Sequence, residues 1–419
     1  MAMTDEEYML RAVELAKKGT GWTNPNPLVG AVIVKGGRII GEGYHKKYGG
    51  LHAEREALAS ANEDVSGATI YVTLEPCCHY GKQPPCVNAI IEAGIKRVVI
   101  GSYDPNPLVA GKGVDILREH NITVDDKLVC SEECKSLNYV FFNYIKEKKP
   151  YVILKYAQSL DGKIATHTGL SQWITGETAR NKVHMDRHRY SAVMVGVETV
   201  IKDNPMLTCR SKDIVNINQP ARVICDTNLR TPLDCNIVRS AKLYTTYIAT
   251  SCKDDDKCRK YTEAGCKLIY VNKNDNDNNS HIDIKELIIK LGQLGIDSIV
   301  CEGGATLNWS VLASGMVDRI QAYIAPKVLG GVNALSPVGG IGVDTPDKAY
   351  ELDDYTVTRL GVTASDLCCA TAEKILTELN YDRNKVDALI FASSSRDYLE
   401  PVTATILQDR LGLSDDCMC

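Results

Sequence analysis

His52-Ala53-Glu54, followed by Pro76-Cys77 and Pro84-Pro85-Cys86, constrains this chain more than any other stretch. One imidazole and two thiolates can hold a zinc ion and leave a fourth coordination position open. The fold must therefore bring three distant segments to one point. A glutamate two residues beyond the histidine can move protons for water bound there, and this set of groups suits hydrolytic removal of an amino group from a nucleobase-like ring.

The segments around these residues alternate between strand and helix patterns. Residues 5–19 place apolar side chains at helical spacing and close on Gly19. Residues 30–34 and 38–43 read as a hairpin turning on Gly36-Gly37. A helix over 52–61, a strand over 69–73, a helix from Pro85 to Ala93 and a strand over 97–101 complete a layered α/β domain ending near residue 148. Lys146-Glu147-Lys148-Lys149-Pro150 is charged, closes on proline and reads as a linker. Strands over 151–155, 192–196, 221–226 and 298–301 then predict a second α/β domain. The segment from Asn272 to Ser280 is almost wholly Asn, Asp and Lys, and it reads as a surface loop. A length of 419 residues accommodates two or three such domains.

Charge and targeting signals narrow the function. A net charge of -5 gives no reason to expect a polyanionic partner, so nucleic acid is disfavoured. The N-terminus is acidic and polar, no apolar run is long enough to span a membrane, and the 16 cysteines read as mostly reduced thiols, which together predict a cytoplasmic protein.

The three-ligand count at His52, Cys77 and Cys86 favours a catalytic over a structural zinc, whereas a structural site needs a fourth donor, which Cys78 or His79 could supply. Cys86 opens a helix behind two prolines, so the helix dipole is expected to favour its thiolate. His45 and His79 are pocket candidates without an assigned role, and a solvent-facing position is the default for both.

Thr73-Leu74-Glu75-Pro76-Cys77-Cys78-His79-Tyr80-Gly81-Lys82-Gln83-Pro84-Pro85-Cys86 resembles the zinc motif of the riboflavin-biosynthesis pyrimidine deaminases, as do Asn24-Pro25-Asn26-Pro27-Leu28-Val29-Gly30 and His52-Ala53-Glu54. General zinc deaminases use a Cys-x-x-Cys pair; here eight residues intervene. The resemblance implies a cytidine-deaminase-like three-layer domain over residues 1–148, with Glu54 taking a proton from a zinc-activated water and returning one to the departing ammonia. Asn26 becomes the candidate for gripping the pyrimidine edge, and a turn-forming asparagine is the equal alternative.

Residues 149–361 resemble the reductase domain that follows the deaminase in bifunctional riboflavin-biosynthesis enzymes, a dihydrofolate-reductase-like α/β fold using NADPH. By that resemblance Ala157, Trp173, Thr199, Asp203, Gly304, Ala305, Thr306 and Leu307 contact the cofactor. Ser171, Arg187, Leu207, Arg210 and Glu302 hold the phosphorylated substrate, the two arginines being suited to bidentate phosphate contacts. The implied substrate is a small phosphoribosylated diaminopyrimidinone, deaminated and then reduced from ribosyl to ribityl, in a homo-oligomer joined through the reductase domains.

Residues 362–419 depart from that pattern. They read as a short foreign-looking α/β tail resembling a fragment of a ketoacyl-carrier-protein synthase of the third kind, without condensing activity. Two rival readings follow: a deaminase whose reductase half is inactivated by the altered C-terminus, and a non-catalytic zinc-stabilised binding protein.

Overall fold

The computed structural model describes residues 3–125, 127–274, 281–358 and 360. The first helix, α1 (Asp5–Lys17), starts on a capping box in which Thr4 and Glu7 satisfy each other's backbone N–H. Next come β1 (Gly30–Lys35), β2 (Arg38–Tyr44), α2 (Ala53–Ser60), β3 (Thr69–Val72), α3 (Cys86–Glu92), β4 (Arg97–Ile100), α4 (Lys112–Glu119), β5 (Thr123–Val124), α5 (Ser131–Leu137) and α6 (Tyr139–Glu147). The five strands form one sheet in the order β2-β1-β3-β4-β5. β1 runs antiparallel to both neighbours, and β3, β4 and β5 are parallel.

Alternation along the central strands builds a core on each face of the sheet. Ala31 and Ile33 pack with Ala53, Ala57, Val87, Ile90 and Leu117 from α2, α3 and α4. Val32 and Val34 face the other way, against Met9, Ala12 and Val13 of α1 and Leu137 of α5. The domain is therefore the three-layer α/β/α arrangement that the family resemblance implies. Gly43 sets the height of α2 over the sheet: a Cβ there would lie 2.2 Å from the Ala57 nitrogen and 2.5 Å from the Ala53 oxygen. Only glycine permits so close an approach.

The linker is shorter than the charged run suggests. α6 continues to Glu147, leaving Lys148, Lys149 and Pro150 before the next strand. The second domain comprises β6 (Tyr151–Ser159), α7 (Glu177–Arg189), β7 (Ala192–Gly196), α8 (Val197–Asp203), β8 (Ala221–Cys225), α9 (Asn236–Arg239), β9 (Thr246–Thr250), α10 (Asp255–Glu263), β10 (Lys267–Tyr270), α11 (Ile284–Gln293), β11 (Ser298–Cys301), α12 (Ala305–Ala313) and β12 (Arg319–Ala325). Its seven strands are all parallel, in the order β10-β9-β8-β7-β11-β6-β12. The sequence pattern locates β6, β7, β8 and β11, the strands with long apolar runs. It misses β9, β10 and β12, where polar residues interrupt the pattern or alternate along an edge.

The topology of this sheet offers a candidate ligand site. β7 leads through α8 outward to β8, whereas β11 leads through α12 to β12 on the opposite side, so the winding reverses between β7 and β11. A crevice opens at such a reversal, outside the carboxyl ends of the strands. Two cores flank the sheet: Val152, Leu154 and Met194 pack with α11 and α12, and Val193, Val195 and Ile224 with α9 and α10.

Among the described residues no strand follows β12, and no helix is long and apolar enough to cross a membrane. Residues 349–419 form a unit of their own, whose described positions are exposed. The predicted α/β tail over 362–419 lies outside the described residues, as do positions 275–280 of the polar loop.

Candidate functional site

His52 is the N-cap of α2, Cys77 follows β3, and Cys86 is the first residue of α3 behind Pro85. The folding of these elements brings the three donors within 4.8 Å of one another. The His52 Nδ1 lies 3.5 Å from the Cys77 Sγ and 3.4 Å from the Cys86 Sγ. A tetrahedron with ordinary Zn–N and Zn–S bonds has N–S edges of about 3.5 Å. The donor set therefore fits zinc by chemistry and by spacing.

The fourth-donor alternative finds no support in the geometry. Among the described residues the metal-ligating cluster holds these three side chains, and the Cys78 thiol points away, to the Leu108 carbonyl at 3.4 Å. His79 also stands outside the cluster, with its Nδ1 buried and unpartnered.

One electrostatic expectation is corrected. The first N–H of α3 donates to the Cys77 carbonyl at 3.0 Å and also lies 3.4 Å from the Cys77 Sγ, rather than favouring Cys86 itself. The Cys86 thiol, the His52 ring and that N–H together hold the Cys77 thiol well below its ordinary value. Cys86, as the donor to Cys77 inside a buried pair, is pushed up instead. The helix terminus serves the neighbouring ligand because its leading N–H groups project forward onto residue 77, beyond the side chain of the residue that bears them.

Glu54, two residues past His52 in the first turn of α2, is 3% exposed. Burial, then the adjacent Cys77 sulfur, pushes its carboxyl up to about 7, where it can both accept and return a proton near neutrality. His45 is likewise buried rather than solvent-facing. Its Nδ1 lies 2.9 Å from the Leu51 carbonyl, so the proton sits there and Nε2 is left to accept from the Asn26 amide at 3.2 Å. Burial also keeps this ring below its ordinary pKa. Asn26 is thus oriented beside the metal ligands, since the His45 and His52 rings meet edge to face at 5.3 Å.

Sequence reasoning passed over Glu75 and Asp104. The Glu75 carboxylate accepts from the backbone N–H groups of Gly111, at 3.0 Å, and Gly113, at 3.1 Å, and so anchors the loop ahead of α4. Asp104 lies on that loop, and burial raises its carboxyl to about 6. The available signal was Asp104-Pro105-Asn106-Pro107, which repeats the pattern of Asn24-Pro25-Asn26-Pro27.

Several second-domain candidates lie just beyond the carboxyl ends of β7 and β11. Glu302 follows β11 and grips Arg187 of α7 bidentately, at 2.8 Å to Nε and 2.9 Å to Nη2. Lys155 of β6 approaches the same carboxylate at 3.6 Å. The remaining Arg187 nitrogen donates to the Thr208 carbonyl, next to buried Leu207. The fork of Arg187 is therefore occupied by Glu302 rather than presented bidentately to phosphate, because a buried guanidinium needs a counter-charge. Arg210 is exposed, and its backbone N–H donates to His184. Burial, then Arg187 and Arg210, lowers the His184 pKa, with Glu302 opposing them. Lys155 and His184 were not among the sequence candidates; for the first, a lysine directly after the apolar run Tyr151-Val152-Ile153-Leu154 was the legible sign.

On the other wall, Gly196 and Gly304 are the N-caps of α8 and α12, and neither helix start has a side-chain cap. Their free N–H groups suit the phosphates of a dinucleotide. Thr199 meets this wall: its Oγ1 lies 3.5 Å from the position of a Cβ on Gly304. Ala305, Thr306 and Leu307 form the first turn of α12, and Asp203 closes α8 with its carboxyl raised by burial. Ala157 is half-buried on β6 beside β12. Ser171 and Trp173 belong to the loop before α7; Trp173 is exposed, stacks with Arg180 at 4.8 Å and accepts from Lys327 through its carbonyl.

Comparison with known proteins agrees with both halves. Residues 2–102 match the family described as cytidine and deoxycytidylate deaminase zinc-binding region, and residues 150–364 match the RibD C-terminal domain. The chain is 54% identical over 350 residues to the riboflavin biosynthesis protein RibD of Actinobacillus pleuropneumoniae, covering 84% of this chain and 91% of the relative. The RibD of Aquifex aeolicus is 44% identical over 357 residues, covering 85% and 96%. Among solved structures, RibD of Acinetobacter baumannii aligns with a TM-score of 0.75 at 37% identity, covering 85% of this chain and 96% of that one. The deaminase/reductase of Thermotoga maritima aligns with a TM-score of 0.71 at 41% identity, covering 81% and 93%. These matches lend no support to the ketoacyl-synthase resemblance of residues 362–419.

Proposed function

Because the chain belongs to the RibD family of riboflavin-biosynthesis proteins, and is a zinc-dependent deaminase joined to an NADPH-dependent reductase, we propose which of its residues carry each reaction. Residues 1–148 deaminate a phosphoribosylated diaminopyrimidinone, and residues 149–361 reduce its ribosyl chain to ribityl. His52, Cys77 and Cys86 hold the metal, which when bound supplies an acidified water at its open position. Glu54 accepts a proton from that water on its carboxylate and delivers one to the leaving ammonia. Asn26, held by His45, grips the pyrimidine edge, and Asp104 borders the same pocket.

In the second domain the uncapped starts of α8 and α12, with Thr199, Asp203 and residues 304–307, cradle NADPH, which supplies the hydride. Ala157 and Trp173 complete the cofactor side. Arg210 is the cation left available to the substrate phosphate. Arg187 acts through Glu302, and holds Leu207 in place by its bond to Thr208; Ser171 contributes from the facing loop. The protein works in the cytoplasm as a homo-oligomer joined through its reductase domains.

The observation that carries the deaminase reading is the three-donor cluster lying beside a buried glutamate with no fourth protein donor among the described residues. Metal analysis combined with an ammonia-release assay tests it. Glu54→Gln keeps stoichiometric zinc and loses ammonia release by roughly a hundredfold or more. Full activity in the variant, or loss of its zinc, defeats the assignment.

A further inference from the structure

The segment joining α1 to β1 carries Asn26 to the zinc site, yet it is pinned by the other domain. The Trp22 indole donates to the Asn216 carbonyl at 3.2 Å, and the Gly21 carbonyl accepts from the Asn218 amide at 2.6 Å. Gly21, at φ +80°, lies so close to His188 that a Cβ would fall 2.5 Å from its carbonyl oxygen. Two residues before Asn26, the Asn24 amide donates to both oxygens of Asp297, at 3.1 and 3.0 Å. Within the first domain the segment is held by the Tyr48 N–H on the Trp22 carbonyl, by the mutual bonds of Leu28 with Asn138, and by the contact of Asn26 with His45.

Asp297 is 2% exposed and cannot follow the segment if it moves. Its Oδ1 also accepts from the Ser191 hydroxyl at 2.6 Å and the Ser298 hydroxyl at 2.7 Å, so its position belongs to the second sheet. It precedes β11, whereas Glu302 and the cofactor crevice follow that strand at its opposite end. A change at Asp297 is therefore separated from the reductase site by the length of β11.

We propose that Asp297 is a positioning residue for deamination: the reductase domain fixes Asn24, and through it presents Asn26 to the pyrimidine. The reductase half then serves as the scaffold of the deaminase pocket as well as the second catalyst. This inference rests on Asn26 being the pyrimidine contact.

An exchange of donor and acceptor tests it in the full-length zinc enzyme. Asn24→Asp sets two carboxylates against each other, and the KM for the diaminopyrimidinone in ammonia release is expected to rise roughly tenfold. Reductase kcat/KM, read by NADPH oxidation, stays unchanged and reports that the chain is folded. In Asn24→Asp/Asp297→Asn the new amide keeps its oxygen for the two serines and turns its nitrogen to the carboxylate at position 24, so the KM recovers. An unchanged KM in the single variant, no recovery in the double, or parallel loss of both activities overturns the proposal. Asn26→Ala, assayed alongside, separates the two readings. If it impairs deamination while Asn24→Asp does not, the positioning role alone fails; if it has no effect, the reading of Asn26 fails and the proposal with it.

Discussion

Glu302→Gln tests the electrostatics of the second domain in a single substitution. The carboxylate accepts two bonds from Arg187, at 2.8 and 2.9 Å, with the Lys155 ammonium at 3.6 Å. Burial alone would raise its pKa, but Arg187 and Lys155 outweigh burial and hold it at about 2, against an ordinary 4.5. That difference corresponds to on the order of 3 kcal/mol of stability at neutral pH. Because the folded-state pKa is the lower one, the contribution is complete above about pH 5, falls to roughly half by pH 3, and vanishes below pH 2. Replacing the carboxylate also strands Arg187 without a counter-charge, which costs about 3–5 kcal/mol in a buried pair. Urea unfolding followed by fluorescence should show the variant less stable by that order at pH 7. The gap should shrink as the pH falls from 5 toward 3. Adding Arg187→Met should recover part of the loss, since no charge is then left unpaired. A gap under about 1 kcal/mol at pH 7, or one that does not change with pH, would refute the reasoning.

Two further substitutions probe the parts that hold each site. Gly43→Ala drives a Cβ into the backbone of α2 at Ala53 and Ala57, so α2 must shift and carry Glu54 with it. We expect a loss of about 1–3 kcal/mol in stability and a lower kcat for ammonia release, with NADPH oxidation unaffected; equal loss of both activities would contradict this. Arg222 is fully buried, and its guanidinium donates to the carbonyls of Met206, Ile237 and Tyr244 and to the hydroxyls of Ser240 and Thr246. Arg222→Met removes all of these bonds, and only the Ile237 and Tyr244 carbonyls keep another side-chain donor, from Ser240 and Thr246. Thermal unfolding should fall by the equivalent of about 2–4 kcal/mol, and the reductase KM should rise as the segment leading to Leu207 loosens. A stable variant with unchanged KM would show that this hub does not hold the substrate side.

What was legible in the sequence was the chemistry that short stretches carry. The identity of the three zinc donors, the glutamate beside them, and the alternation of strands and helices all follow from residue type and local period. β6, β7, β8 and β11 were found because their apolar runs are nearly continuous, and β9, β10 and β12 were missed because Thr, Tyr, Lys, Arg and Gln break theirs up. The placement of His45 was also hidden: a buried histidine and an exposed one look alike until the Leu51 carbonyl and the Asn26 amide are seen to take its two nitrogens.

The sequence by itself determined a three-donor metal site on an α/β domain and a second α/β domain with glycines at the helix starts of its crevice, because bond preferences and backbone periods act over a few residues. Tertiary structure alone decided that Cys78 and His79 stand aside, that the first N–H of α3 serves Cys77, and that Arg187 spends its fork on Glu302. It alone joined Asn24 to Asp297, 273 residues away. Such partnerships are selected by which surfaces pack together and which buried charges must then be matched, and no local pattern records that outcome.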